Sequence, residues 1–359
     1  MELALRHVSL AELDTFPNTT PDGVRPKSLT IDITHACPFR CPGCIEKKAM
    51  RHSRRTSLSC ETACRLISQF AEYYGGKEVL LYGGEPTSHP HFPIILRHAA
   101  RVIPLIRLVT NGALLKKPQI ADAICEAAEE TQLSVRVSLN AGTPETHEEL
   151  HRVKGFFNRV VKGMETIRNR SEAVDLSVSF LLEEANASEV LQAYEISTRV
   201  GASLFWLRPK TGLHGIGLLP LSSSACEAVL EALWEIEARF ESGLGPRLHV
   251  EPWFLSFLEH GVPPDTSKPY PACYYCAAAR LVITPPEPGI VWSCTYWRAD
   301  LRFFVADLSK VRFGSDEFER LRIAANRRIV PQRDCGKVIC NRSEANKAIW
   351  ERLQACVVC

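Results

Sequence analysis

The chain has 359 residues, 45% of them hydrophobic, and a formal net charge of +2, enough for one large core and a smaller module. So balanced a charge argues against a general nucleic-acid binder, whose phosphate contacts need a basic excess. No segment is apolar for long enough to span a bilayer and the opening M-E-L-A-L-R-H lacks a signal-peptide apolar region, so a cytoplasmic location without membrane partners is expected.

Residues 1–27 read as an N-terminal extension. From residue 28 short apolar runs alternate with amphipathic stretches. The strand-like runs are Ser28–Thr34, Glu78–Tyr82, Ile106–Thr110, Ser134–Leu139, Leu176–Leu182 and Ser203–Leu207. Between them, apolar residues three and four apart predict helices at Thr62–Tyr74, Gln119–Glu129, Phe157–Arg168 and Glu189–Val200. This alternation predicts an α/β protein with a parallel sheet and right-handed crossovers over 28–210. Residues 211–265 read as a connector with a glycine-rich turn, a helix around Ala225–Phe240 and the short run L-H-V-E-P-W-F. Pro-rich punctuation then introduces a cysteine-rich module over 266–359.

Cysteine placement carries the chemistry. Fourteen cysteines without an export signal point away from disulfides and towards metal in a reducing compartment. Cys37, Cys41 and Cys44 lie directly after the first strand in H-A-C-P-F-R-C-P-G-C. C-x3-C-x2-C is too tight for a zinc site built from two separated C-x2-C halves, and it lacks the fourth nearby cysteine of a ferredoxin. Three thiolates on one loop can hold three irons of a [4Fe–4S] cube and leave the fourth open. After the second strand comes Gly83-Gly84-Glu85-Pro86, where two glycines permit close backbone approach and Glu85 offers a carboxylate to a cation. Cys60, Cys64, Cys125 and Cys226 fall in helical patterns, as small buried side chains do. The basic stretch Lys47–Arg55 reads as a solvated loop or as a lid attracting an anionic substrate or an electron donor.

The triplet after strand one and the G-G-E-P loop after strand two resemble the radical S-adenosylmethionine (SAM) superfamily. The resemblance implies a partial (β/α)6 barrel with its site at the C-terminal ends of the strands. It also implies a cube held by Cys37, Cys41 and Cys44, with the SAM amine gripped by the loop Gly83–Pro86. Ser138 and Asn140, at the end of strand four, become plausible SAM contacts. So does Arg152 in H-E-E-L-H-R-V-K, suited to a carboxylate; for all three a cap or turn role competes. Arg208 is a weaker candidate for SAM or substrate.

In the tail, Cys273-x2-Cys276 is followed by Gly289 and Cys294, then Cys335 and Cys340, and finally Cys356 and Cys359. C-x12-G-x4-C resembles the first half of the SPASM or twitch extension, in which a hairpin (here Leu281–Thr284 and Gly289–Ser293) separates two ligands of an auxiliary [4Fe–4S] cluster. The rest departs from the SPASM spacing, and a zinc ribbon is the competing reading. One auxiliary cluster is expected, on Cys276, Cys294, Cys335 and Cys340 with Cys273 as substitute; Cys356 and Cys359 stay open between incidental thiols and a second, incomplete cluster.

The resemblance implies reductive cleavage of SAM to a 5′-deoxyadenosyl radical that abstracts hydrogen from substrate, with the electron supplied by a flavodoxin or ferredoxin. The outcome would be a net oxidation or an epimerisation; no acid, base or hydrogen donor is assigned. Two substrate classes compete: a small polar metabolite of aminoglycoside or nucleoside type, and a ribosomally made peptide. Only 27 residues precede strand one, too few for a leader-recognition domain, which tilts the expectation to the metabolite. An iron–sulfur electron carrier is the non-enzymatic alternative, and it has no use for a SAM-amine loop.

Overall fold

The computed structural model describes residues 24–44, 56–212, 215–273, 279–340, 343 and 346–351. In chain order the elements are β1 (Ser28–Thr34), α1 (Cys60–Tyr74), β2 (Glu78–Gly83), α2 (Phe92–Val102), β3 (Leu105–Thr110), α3 (Pro118–Glu130), β4 (Gln132–Ser138), α4 (Pro144–His151) and α5 (Phe157–Arg170). They continue as β5 (Asp175–Leu182), α6 (Val190–Arg199), β6 (Leu204–Pro209), α7 (Ser223–Glu241), β7 (Arg247–Val250) and α8 (Pro252–His260). The tail adds β8 (Arg280–Thr284), β9 (Ile290–Trp292), β10 (Phe304–Asp307), α9 (Asp316–Arg328) and α10 (Pro331–Asp334).

All ten strands form one sheet, ordered β10-β9-β8-β1-β2-β3-β4-β5-β6-β7. Strands β1 to β7 pair in parallel, each with the next. β8 joins the other side of β1 in parallel, and β9 and β10 follow antiparallel. Strands β7 and β10 stay at opposite edges, so the sheet is an open, partial barrel with helical crossovers. The expected hairpin is β8–β9; the connector and the tail, read as separate segments, both add strands to the barrel's sheet.

Side chains alternate across each strand. One face carries Leu29, Ile31, Val79, Leu81, Ile106, Leu108, Val135 and Val137, all fully buried. Helix α1 meets this core with Ala63, Leu66, Ile67 and Phe70, and burying each larger side chain contributes about 1.5–3 kcal/mol. Its ends are set locally: Ser59 Oγ accepts Thr62 N–H, and Gly75 closes the helix at φ 57°, a left-handed position where glycine is unstrained.

The opposite face is polar. It presents Asp32, Arg107, Arg136, Ser177, Trp206, Arg208 and His249, with Trp206 between the guanidinium groups of Arg136 and Arg208 at 4.3 and 4.6 Å from the ring centroid. Here barrel and tail are fastened together. Arg298, beyond β9, donates to buried Asp32 on β1 at 2.5 Å and lies 4.9 Å over the Tyr82 ring. Removing one partner of a buried ion pair strands the other's charge, at about 3–5 kcal/mol. Arg298→Met is therefore expected to lower unfolding free energy by about that much in a denaturant titration, and Asp32→Asn with Arg298→Met by less. Equal losses in the two variants would show that Asp32 is not held by this pair.

Candidate active site

Every barrel motif falls on the C-terminal edge of the sheet. The backbone shows why the first two belong together. Gly84 N–H donates to Thr34 O at 2.9 Å and Glu85 N–H to Ala36 O at 2.8 Å, so the G-G-E-P turn is laced to the strand exit that carries the cysteines. A Cβ on Gly83 would stand 2.5 Å from Thr34 O, and one on Gly84 2.5 Å from both His35 O and Ala36 O. The glycines thus admit the neighbouring backbone of the cysteine loop.

Glu85 ties the same turn to a further loop. Its carboxylate is 1% exposed and accepts from Thr87 N–H, Thr87 Oγ1, Thr110 Oγ1 and Asn111 N–H at 3.1, 2.5, 2.6 and 2.6 Å. Burial raises its pKa, opposed by these hydrogen bonds. It holds the G-G-E-P turn to the end of β3. Pro86 begins the 3-10 turn Pro86–Ser88 that follows. Glu85→Gln removes one acceptor oxygen and turns an NH2 towards donors, and a buried unsatisfied group costs about 1–3 kcal/mol. Such a loss of stability in the metal-free protein, together with weaker SAM binding, is the expected result; unchanged thermal unfolding would show that the loop does not depend on this carboxylate.

Cys37 and Cys41 sit against the core, and Cys41 and Cys44 are close enough to Cys37 to act on it electrostatically. Burial, and then the neighbouring Glu85, Cys41 and Cys44, push the Cys37 thiol up to about 12, against a lowering hydrogen bond from the Phe39 backbone. Asn111 Nδ2 lies 3.6 Å from Cys37 Sγ, so the end of β3 touches both the Glu85 loop and the first thiol. Among the described residues no trio of Cys, His, Asp and Glu stands at the spacing of a single metal ion. A cube takes one thiolate per iron, and three thiols spread along one loop suit it better than a mononuclear metal.

Two histidines that the sequence reading passed over complete this site. His147 and His151 are both buried, on one face of α4 at i and i+4, with rings 4.5 Å apart. His151 Nδ1 is 3.0 Å from Cys41 Sγ, and its carbonyl accepts Arg40 N–H at 2.9 Å. Burial holds both imidazoles low, at about 4 for His147 and about 3 for His151, where His147 and Lys210 add to the effect. Lys210, paired with Glu183 at 2.5 Å, lies against Gly43 of the cysteine loop.

The remaining SAM candidates are placed less favourably. Ser138 is half-buried at the end of β4, in register with Ser179. Asn140 uses its side-chain oxygen to accept Leu181 N–H at 2.9 Å and its carbonyl to accept Asn186 Nδ2, a bridge between β4 and β5. Arg152 is exposed and forms the left-handed cap of α4 at φ 51°. From that segment it is the preceding residue, His151, that reaches the cysteine loop.

In the tail, Cys273, Cys294, Cys335 and Cys340 all pack on one small cluster of Trp297, Phe303, Ile329 and Val338. Cys335 and Cys340 act electrostatically on buried Lys268, and both of these with Cys273 act on buried Tyr270. Burial lowers the Lys268 pKa, opposed by the two thiols, and raises that of Tyr270, opposed by its hydrogen bond to Ser343. Cys273, the expected substitute ligand, thus stands with three of the four favoured ones. Cys276, Cys356, Cys359 and Lys47–Arg55 lie outside the described residues.

A family model for the radical SAM superfamily matches residues 31–195. These residues belong to the radical SAM superfamily. The match runs from β1 through the cysteine loop, the G-G-E-P turn and α4 into α6. The chain is 26% identical over 300 residues to a probable GTP 3′,8-cyclase of Saccharolobus solfataricus, covering 82% of this chain and 91% of that one. It is also 26% identical over 224 residues to the PqqA peptide cyclase of Streptomyces rochei, covering 61% of this chain and 58% of that relative. The structure of Streptococcus suis SuiB bound to precursor peptide SuiA superposes with a TM-score of 0.60 at 13% identity, covering 87% of this chain and 69% of SuiB. That likeness shows a shared fold. Radical SAM enzymes use a [4Fe–4S] cluster and SAM, and the matched residues include the cysteine loop.

Proposed function

We propose that this chain is a peptide-modifying radical SAM enzyme acting as a net oxidant, with Cys37, Cys41 and Cys44 holding the SAM cluster. The substrate reading departs from the small metabolite expected from the sequence. It is carried by the PqqA peptide cyclase relative and supported by the fold shared with SuiB, solved with its precursor peptide. Cys37, Cys41 and Cys44 would hold a cluster that, with SAM and an electron from a flavodoxin or ferredoxin, would supply 5′-deoxyadenosyl radical chemistry at this loop. The chain's own part is positional. Glu85 and Asn111 fix the turn beside Cys37, and Gly83 and Gly84 let that turn lie on the cysteine loop. The polar inner face, with Trp206 between Arg136 and Arg208, forms a wall against which a substrate carboxylate can be oriented. Cys273, Cys294, Cys335 and Cys340 would hold an auxiliary cluster able to accept the electron left on the substrate.

The GTP 3′,8-cyclase relative, matched over most of its length, favours a second reading with a nucleotide substrate. The two separate in one experiment. Reconstituted protein, SAM and dithionite are incubated anaerobically with GTP and, in parallel, with each short peptide encoded beside its gene. A SAM-dependent loss of a pair of hydrogens from one peptide is expected, read by mass spectrometry. Conversion of GTP with every peptide unchanged would overturn the peptide reading in favour of the nucleotide.

A further inference from the structure

The end of helix α4 grips the cysteine loop twice. His151 accepts Arg40 N–H through its carbonyl at 2.9 Å and places ring nitrogen Nδ1 3.0 Å from Cys41 Sγ. The ring is 5% exposed and set in place from two sides, by Phe39 with centroids 4.8 Å apart and by His147 at 4.5 Å in an edge-on arrangement. Without metal, either the thiol S–H donates to Nδ1 or, in the other tautomer, the imidazole Nδ1–H donates to the sulfur. A thiolate bound to iron has no proton and only accepts, so ligation of Cys41 requires Nδ1 to carry the hydrogen. We propose that His151 is a positioning residue for the cluster on Cys37, Cys41 and Cys44, donating an Nδ1–H hydrogen bond to the Cys41 sulfur that raises the cluster's reduction potential.

This deepens the proposed function and rests on its reading of the cysteine triplet. Hydrogen bonds to ligating sulfurs are among the levers that set iron–sulfur potentials. The added electron increases negative charge on the sulfurs, so an N–H donor stabilises the reduced state more than the oxidised one. Low local dielectric strengthens the bond, and a residue 5% exposed meets little competing water. The consequence is an easier first step: a donor of given potential loads more of the cluster.

The test compares His151→Phe, which keeps an aromatic ring against Phe39 and His147 but removes the donor, with His151→Asn, whose side-chain NH2 can replace it. Full-length reconstituted proteins are poised with dithionite and mediators, and the SAM-responsive cluster signal is followed by electron paramagnetic resonance. At a fixed poise His151→Phe should lower the reduced-to-oxidised ratio about tenfold, on the order of 59 mV for a one-electron couple, while His151→Asn stays near wild type. An unshifted His151→Phe variant with full iron, or equal shifts in both variants, overturns the inference. Should His151→Phe fail to fold, pulsed resonance on wild-type protein labelled with nitrogen-15 histidine decides: a weakly coupled histidine nitrogen is expected at the SAM-responsive cluster, and its absence rejects the bond. Full iron in a Cys37/Cys41/Cys44 triple variant would instead remove the cluster reading beneath it.

Discussion

Changing Cys37, Cys41 and Cys44 together to Ala is expected to remove about half of roughly eight irons, from two cubes, and all reductive SAM cleavage. The physical ground is the state of these thiols. The Cys37 thiol, pushed up to about 12 by burial, stays protonated at neutral pH unless a metal displaces the proton, so loading this loop releases protons and is favoured as pH rises. Asn111, the Glu85 loop and His151 flank Cys37 and Cys41 from three other segments of chain, so this part of the loop is preorganised. Iron and sulfide assays on anaerobic protein, together with detection of 5′-deoxyadenosine, read the result. Continued 5′-deoxyadenosine formation by the triple variant would show that the SAM cluster is held elsewhere. Iron near twelve per wild-type chain would bring Cys356 and Cys359 in as ligands of a further cluster.

How much of this was legible in the sequence differs between backbone and side chains. The period-two and period-3.6 patterns locate β1 to β6 to within two residues, because each strand buries one face in a continuous core. Two helices of the barrel went unread, as did α8, α9 and α10 beyond it. α2 (Phe92–Val102) begins with Phe-Pro after a His-Pro-His turn and lacks a side-chain cap, and α4 (Pro144–His151) is short and polar, with only His147 and His151 buried. Missing α4 meant missing its histidines, although their i, i+4 spacing in the segment that contains Arg152 was an available signal. Roles proved harder than positions. Gly83, Gly84 and Glu85 occupy the expected turn, yet the atoms they meet belong to the β1 exit and to Thr87, Thr110 and Asn111, none of which local spacing reveals. In the tail the hairpin β8–β9 was readable from its glycine, whereas β10 and the joining of β8 to β1 depend on long-range pairing that no local pattern encodes.

Cys294→Ala or Cys335→Ala is expected to spare the first cluster and abolish substrate turnover. These two thiols pack with Cys273 and Cys340 on the Trp297, Phe303, Ile329 and Val338 cluster, while Cys37 and Cys41 of the first site pack on the main core. The two sites therefore stand on separate apolar supports, and losing a ligand at one leaves the packing of the other intact. They share a sheet, since β8 is hydrogen-bonded to β1, and Arg298 reaches Asp32 from just beyond Cys294. A tail that unfolded altogether would break that pair and disturb β1, so the control is the thermal transition of the metal-free variants, which should stay close to that of the metal-free parent. With folding intact, about half the iron should remain and SAM cleavage should continue uncoupled from product. If the tail accepts the electron left after hydrogen abstraction, deuterium placed at the reacting carbon of the substrate peptide will still appear in 5′-deoxyadenosine, and the oxidised peptide will not form. Full turnover in both variants would reduce the four thiols to a packing role, and loss of all iron would show that the two sites assemble as one.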